Sequence, residues 1–114
     1  MQTIIYHNPR CRKSREALDL LKKHTNNITI VEYLKKPFST KELTGLIHKL
    51  KLQPIELIRK TEAVWKESYK EKSLSDEDLI QAMIKHPKLI ERPIIVNEKG
   101  AVVGRPVDKV LKLV

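Results

Sequence analysis

The sequence holds one cysteine in 114 residues, so no disulfide can close within the chain. Aromatic residues are nearly as scarce, with one Phe, one Trp and three Tyr. None of them interleaves with the basic residues as a base-stacking surface requires, so no nucleic-acid partner is expected. With three Gly and six Pro, the chain is too poor in both for a low-complexity or disordered protein. No apolar run approaches the roughly 20 residues of a membrane-spanning helix. The stretch MQTIIYHNPR has no basic segment leading into a long apolar one, so neither a membrane role nor a secretory signal is expected. These absences leave a cytoplasmic protein with one domain spanning residues 1–114 as the expectation.

Acidic residues are in the minority, 14 against 23 basic ones, for a formal charge of +9. Such a surplus attracts anions of every kind and names no partner by itself. Its division says more, because 17 of the basic residues are Lys and only six are Arg, at positions 10, 12, 15, 59, 92 and 105. Lys is a hydrated point charge, whereas Arg offers a planar fork of donors suited to oxyanions.

QTIIYH reads as a strand running into the turn signal Asn8-Pro9. A helical pattern follows Cys11, with Ala17, Leu18 and Leu21 on one face, and ITIVEYL (28–34) reads as a second strand. Strand, helix and strand in that order predict a parallel pair. Residues 35–88 read as all-helical. Ser39 to Glu42 forms a capping box, Pro54 starts a short helix carrying Ile58 and Arg59, and Ser75 to Asp78 opens another. PIIVN and AVVG predict an antiparallel hairpin. Val107, Val110, Leu111 and Val114 then predict a C-terminal α-helix. The fold class is α/β, a mixed sheet with an all-helical insertion between its second and third strands.

HNPRCRKSR (7–15) sets the only thiol where the first strand ends and the first helix begins. Helix N–H groups, the helix dipole and three nearby arginines favour thiolate there, and Ser14 could donate a hydrogen bond to the sulfur. The plainer alternative, a buried and inert cysteine, is disfavoured by the lack of apolar neighbours. His7 has two open readings, a group that tunes the thiol or a simply packed histidine. His24, His48 and His86 do not group with acidic residues at ligand spacing, so no metal site is expected. Chain spacing cannot bring Arg59, Arg92 and Arg105 together.

YHNPRCRKSR, LIRK, IKHPKLIERPIIV and GRP, taken in order, resemble the glutaredoxin-coupled arsenate reductase family over nearly the whole chain. The resemblance implies a thioredoxin-like fold with a helical insertion. It implies Cys11 as nucleophile, Arg59, Arg92 and Arg105 as oxyanion ligands, and His7, Asn8, Ser14, Arg15 and Pro93 in support, with Pro93 at the family's cis-proline position. It also implies arsenate as substrate, glutathione as co-substrate, glutaredoxin as partner and no bound cofactor. Arg10, Arg12 and Lys13, outside the motif's fixed positions, are left to raise local potential or dock an acidic partner. Two alternatives share the fold: a glutathione-dependent thiol oxidoreductase without arsenate activity, and a stress regulator that binds RNA polymerase. For the regulator, Cys11-Arg12-Lys13-Ser14 lacks the second cysteine of an internal redox switch.

Overall fold

The computed structural model describes residues 2–114 and divides into two compact units, 1–36 with 92–114 and 37–91. In the first unit, β1 (Thr3–Tyr6), β2 (Ile28–Val31), β3 (Ile94–Asn97) and β4 (Gly100–Val103) form one sheet ordered β2-β1-β3-β4. The pair β1–β2 is parallel, as the crossover through α1 (Arg12–Lys22) predicts, whereas β1–β3 and β3–β4 are antiparallel. This mixture fixes where the ends meet. The C-terminal ends of β1, β2 and β4 and the N-terminal end of β3 all lie at one edge of the sheet.

Alternation along β1 sends Thr3, Ile5 and His7 to one buried face. Ile5 sits opposite Ile95, and both are fully buried in a cluster with Ala17, Leu18 and Leu21 of α1 and with Val110 and Leu113. Burying each such Ile or Leu contributes about 1.5–3 kcal/mol, so this layer carries much of the unit's stability. The C-terminal segment departs from the expected α-helix. Val107–Leu113 is a 3-10 helix, with Val110 and Leu113 buried and Leu111 and Val114 exposed. Three residues per turn align positions 107, 110 and 113, whereas the expected face at 107, 110, 111 and 114 assumes 3.6. Asn97 holds the segment in place, its Nδ2 donating to the Leu113 carbonyl at 2.7 Å.

The second unit lies between β2 and β3 in the chain. It contains α2 (Thr40–Leu50), α3 (Ala63–Ser68) and α4 (Asp76–Lys85), with single 3-10 turns at Pro54–Leu57 and Pro87–Leu89. The predicted capping box of Ser39 with Glu42 forms, and Ser75, where a helix start is expected, makes a second one with Asp78. Leu43, Leu46 and Ile47 of α2 are buried, as are Leu79, Ile80 and Met83 of α4. Pro54 opens only a 3-10 turn, and Arg59 lies beyond it rather than at a helix end. Ile58 instead bridges Ile90, and the Arg59 N–H donates to Leu89 O at 2.7 Å. The short α3 was not visible in the hydrophobic pattern, because Trp65 is its one buried residue.

Candidate active site

The loop after β1 is built by Asn8. Its carbonyl accepts the Cys11 N–H at 3.0 Å and its Oδ1 accepts the Arg10 N–H at 3.0 Å, which closes a tight turn ahead of α1. The Asn8 N–H in turn donates to Ser14 Oγ at 3.0 Å, and Ser14 Oγ and His7 Nδ1 share a hydrogen bond at 2.6 Å. Arg15 Nη1 reaches back to the Pro9 carbonyl at 2.9 Å. His7, Asn8, Ser14 and Arg15 thus form one network around the turn.

This network bears on two points the sequence left open. The Ser14 hydroxyl is bonded to His7, and it is the Ser14 backbone N–H that faces the sulfur. His7 is only 6% exposed, and burial holds its pKa below the usual value, against the raising effect of Glu32 and with help from Arg15 and Lys22. A neutral imidazole can share that bond as acceptor with its proton on Nε2 or as donor with it on Nδ1. His7 is buried and bonded into the loop.

Cys11 occupies the N-cap of α1 in extended conformation, half-buried, with no close side-chain capping bond. The first turn of α1 carries no acidic residue. That is an unusual choice for helix stability, but it leaves the positive N-terminal potential for an anion. Burial alone would raise the thiol pKa. The Ser14 N–H, the Arg92 guanidinium and the Lys13 N–H outweigh it, and the net shift is downward.

The arginine side chains beside the sulfur are not those next to Cys11 in the chain. Arg12 pairs with Glu16 at 3.1 Å on the exposed face of α1, and Arg15 is engaged by Pro9. Arg92, just before β3, lies near enough for its guanidinium to lower the thiol pKa, and Arg105, just after β4, brings Nη2 to 3.6 Å from Sγ. Arg105 Nε donates to the Arg92 carbonyl at 2.6 Å, so the two are set against each other. Arg92 Nε is buried without a partner. The peptides Arg92-Pro93 and Arg105-Pro106 are both cis, the first at the position named from the sequence. The second has no sequence signal beyond the prolyl residue itself.

Arg59 belongs to the helical unit, where its guanidinium pairs with Glu62 at 3.3 Å. Among the described residues, no three His, Cys, Asp or Glu side chains gather as metal ligands, and no helix is long and apolar enough to cross a membrane. A cavity of about 300 Å³ adjoins the turn, walled by His7 to Arg10 on one side and by Glu32, Leu34 and Lys35 on the other. The sequence offered no sign of it, because its second wall follows β2.

Chemically, the end of the sheet presents a thiol biased toward thiolate, with two guanidinium groups beside it and an unmatched N–H. That is an arrangement for a nucleophile acting on an oxyanion. Residues 6–113 match the model of the ArsC family. The chain is 46% identical to the uncharacterised protein YfgD of Escherichia coli K12, covering 99% of this chain and 97% of that one. It is 40% identical to an arsenate reductase of Haemophilus influenzae, covering 99% of each. The solved arsenate reductase of Vibrio cholerae superposes with a TM-score of 0.94 at 41% identity, over all of this chain and 98% of that one. The fold is thioredoxin-like, and the chain belongs to the ArsC family.

Proposed function

We propose that this protein reduces arsenate to arsenite, with Cys11 as nucleophile and glutathione and glutaredoxin as the source of reducing thiols. The observation that carries the reading is the pair of guanidinium groups, Arg92 and Arg105, at a sulfur whose pKa is lowered. Arsenate is a tetrahedral anion whose oxygens suit such forks, and the unmatched Arg92 Nε–H supplies one more donor. Family membership and the arsenate reductases among the relatives support the same reading.

The Cys11 thiolate attacks arsenic, an arsenate oxygen leaves as water after protonation, and a sulfur–arsenic bond forms. Arg92 and Arg105 hold the oxygens as charge redistributes. With one cysteine in the chain, the next thiol must come from outside. A glutathione thiolate attacks the Cys11 sulfur, and the sulfur–arsenic bond breaks with its electron pair passing to arsenic. Arsenite departs, leaving a mixed disulfide between Cys11 and glutathione. A glutaredoxin thiol attacks the glutathione sulfur of that disulfide and frees the Cys11 thiolate. The cytoplasm, with its reducing glutathione pool, is the compartment this scheme needs. No bound cofactor enters it. Arg59 is the third oxyanion arginine that the family resemblance suggests.

The test is arsenate-dependent NADPH consumption coupled through glutathione, glutathione reductase and glutaredoxin. Turnover should vanish in Cys11→Ser and fall by about 10²-fold or more in Arg92→Ala. A folded wild-type protein with no arsenate turnover overturns the reading and leaves the thiol to glutathione-linked disulfide exchange.

A further inference from the structure

The lone cysteine obliges a second thiol to approach its sulfur, yet Arg92 and Arg105 already flank that sulfur. Those two arginines stand just before β3 and just after β4. Strand β1 lies between β2 and β3, so the end of β2 faces the opposite side of the Cys11 loop. The 300 Å³ cavity lies on that β2 side, with Asn8, Pro9 and Arg10, the residues leading into Cys11, as one wall. Its size is at the lower end of the ~300–1,000 Å³ typical of small-molecule sites.

The lining has a definite chemistry. Arg10 is exposed, and among the described residues its guanidinium pairs with no carboxylate. Across from it, Glu32 and Lys35 face each other at 3.4 Å in an exposed and therefore weak pair. Leu34, 38% exposed, adds an apolar wall beside them. A ligand carrying an ammonium and more than one carboxylate can replace the Glu32–Lys35 pair, its ammonium meeting Glu32 and its carboxylates meeting Lys35 and Arg10.

We infer that this cavity is the binding site for the resolving co-substrate, a small zwitterionic peptide thiol such as glutathione. The inference rests on the proposed reduction of a Cys11 adduct by an external thiol, and it adds where that thiol is held. The thiolate enters from the β2 side and attacks the Cys11 sulfur while the oxyanion stays with the β3 and β4 arginines. The bonds made and broken are those of the proposed reaction; only the positioning is new.

Two measurements separate this inference from the reading beneath it. S-methylglutathione, which cannot react, is titrated into ¹⁵N-labelled Cys11→Ser protein without arsenate. The expected result is a saturable shift of the Asn8, Arg10, Leu34 and Lys35 amides, weakened about tenfold by Arg10→Glu or Lys35→Glu. In the coupled assay the same two variants should raise the KM for glutathione about tenfold and leave the KM for arsenate near the wild-type value. Lys49→Glu, an exposed charge reversal in the helical unit, should change neither. An absence of S-methylglutathione shifts, or shifts mapping elsewhere, overturns the inference. So does an unchanged glutathione KM in both variants, or an equal rise in Lys49→Glu, which would reduce the effect to net charge. Arsenate turnover has no bearing on the first measurement, so a failed reductase reading and an empty cavity give different results.

Discussion

At the scale of single residues, His7 shows most clearly how environment assigns a role that residue type leaves open. Its place after Thr3 and Ile5 in the buried alternation of β1 turns the ring inward, and its Nδ1 is bonded to the Ser14 hydroxyl. Burial depresses its pKa, so the unfolded chain takes up a proton at His7 before the folded protein does. Stability from this group is therefore complete above about pH 6.5 and is lost as the pH falls from there toward the depressed folded value. Denaturant unfolding should show that loss at up to ~1.4 kcal/mol per pH unit in wild-type protein. The slope should disappear in His7→Gln; an equal slope in that variant would mean another group titrates. The period-2 pattern of β1 contained the burial of His7 in advance, but its bond to a partner seven residues away is outside that pattern. For Ser14 the sequence suggests the hydroxyl as donor to sulfur, and the structure brings its backbone N–H there.

Among the elements, local chemistry read well wherever the signal lay within a few neighbouring residues. The capping boxes at Ser39 and Ser75, the parallel β1–β2 pair and the β3–β4 hairpin all follow from short patterns. The C-terminal segment did not, because its apolar residues fit both a 3.6 and a 3.0 period and packing against α1 and Asn97 chose the second. One contact between elements bears on the site. A Cβ placed on Gly104 would lie 3.0 Å from Pro93 Cγ, 3.2 Å from Ile95 Cδ1 and 3.4 Å from Val110 Cγ1. The glycine lets the end of β4 press against the proline that follows Arg92, and the Gly104 N–H donates to the Pro93 carbonyl at 2.8 Å. Gly104→Ala should cost about 1–3 kcal/mol in chemical denaturation by overpacking. It should also slow alkylation of Cys11, because Pro93 and Arg92 shift together. Stability and alkylation rate both at wild-type values would show that this contact is slack.

For the whole molecule, the site follows from topology. Arg92 and Arg105 stand 81 and 94 residues from Cys11 in the chain, and no spacing rule joins them to it. Mixing one parallel with two antiparallel pairings puts the ends of four strands at one edge, and the thiol, both arginines and the cavity gather there. The place of the thiol was legible because its signal is local, a cysteine opening a helix. The two arginines were legible only through family resemblance, and the cavity not at all, since its walls come from the ends of separate strands. The central claim is that this edge is a thiolate site for arsenate, and the single cysteine makes it directly measurable. Alkylation of the protein by iodoacetamide at pH 6 reports Cys11 and no other residue. Arsenate should slow that alkylation saturably in wild-type protein, and Arg92→Ala should lose most of the protection. Alkylation unaffected by arsenate at any concentration would contradict the account.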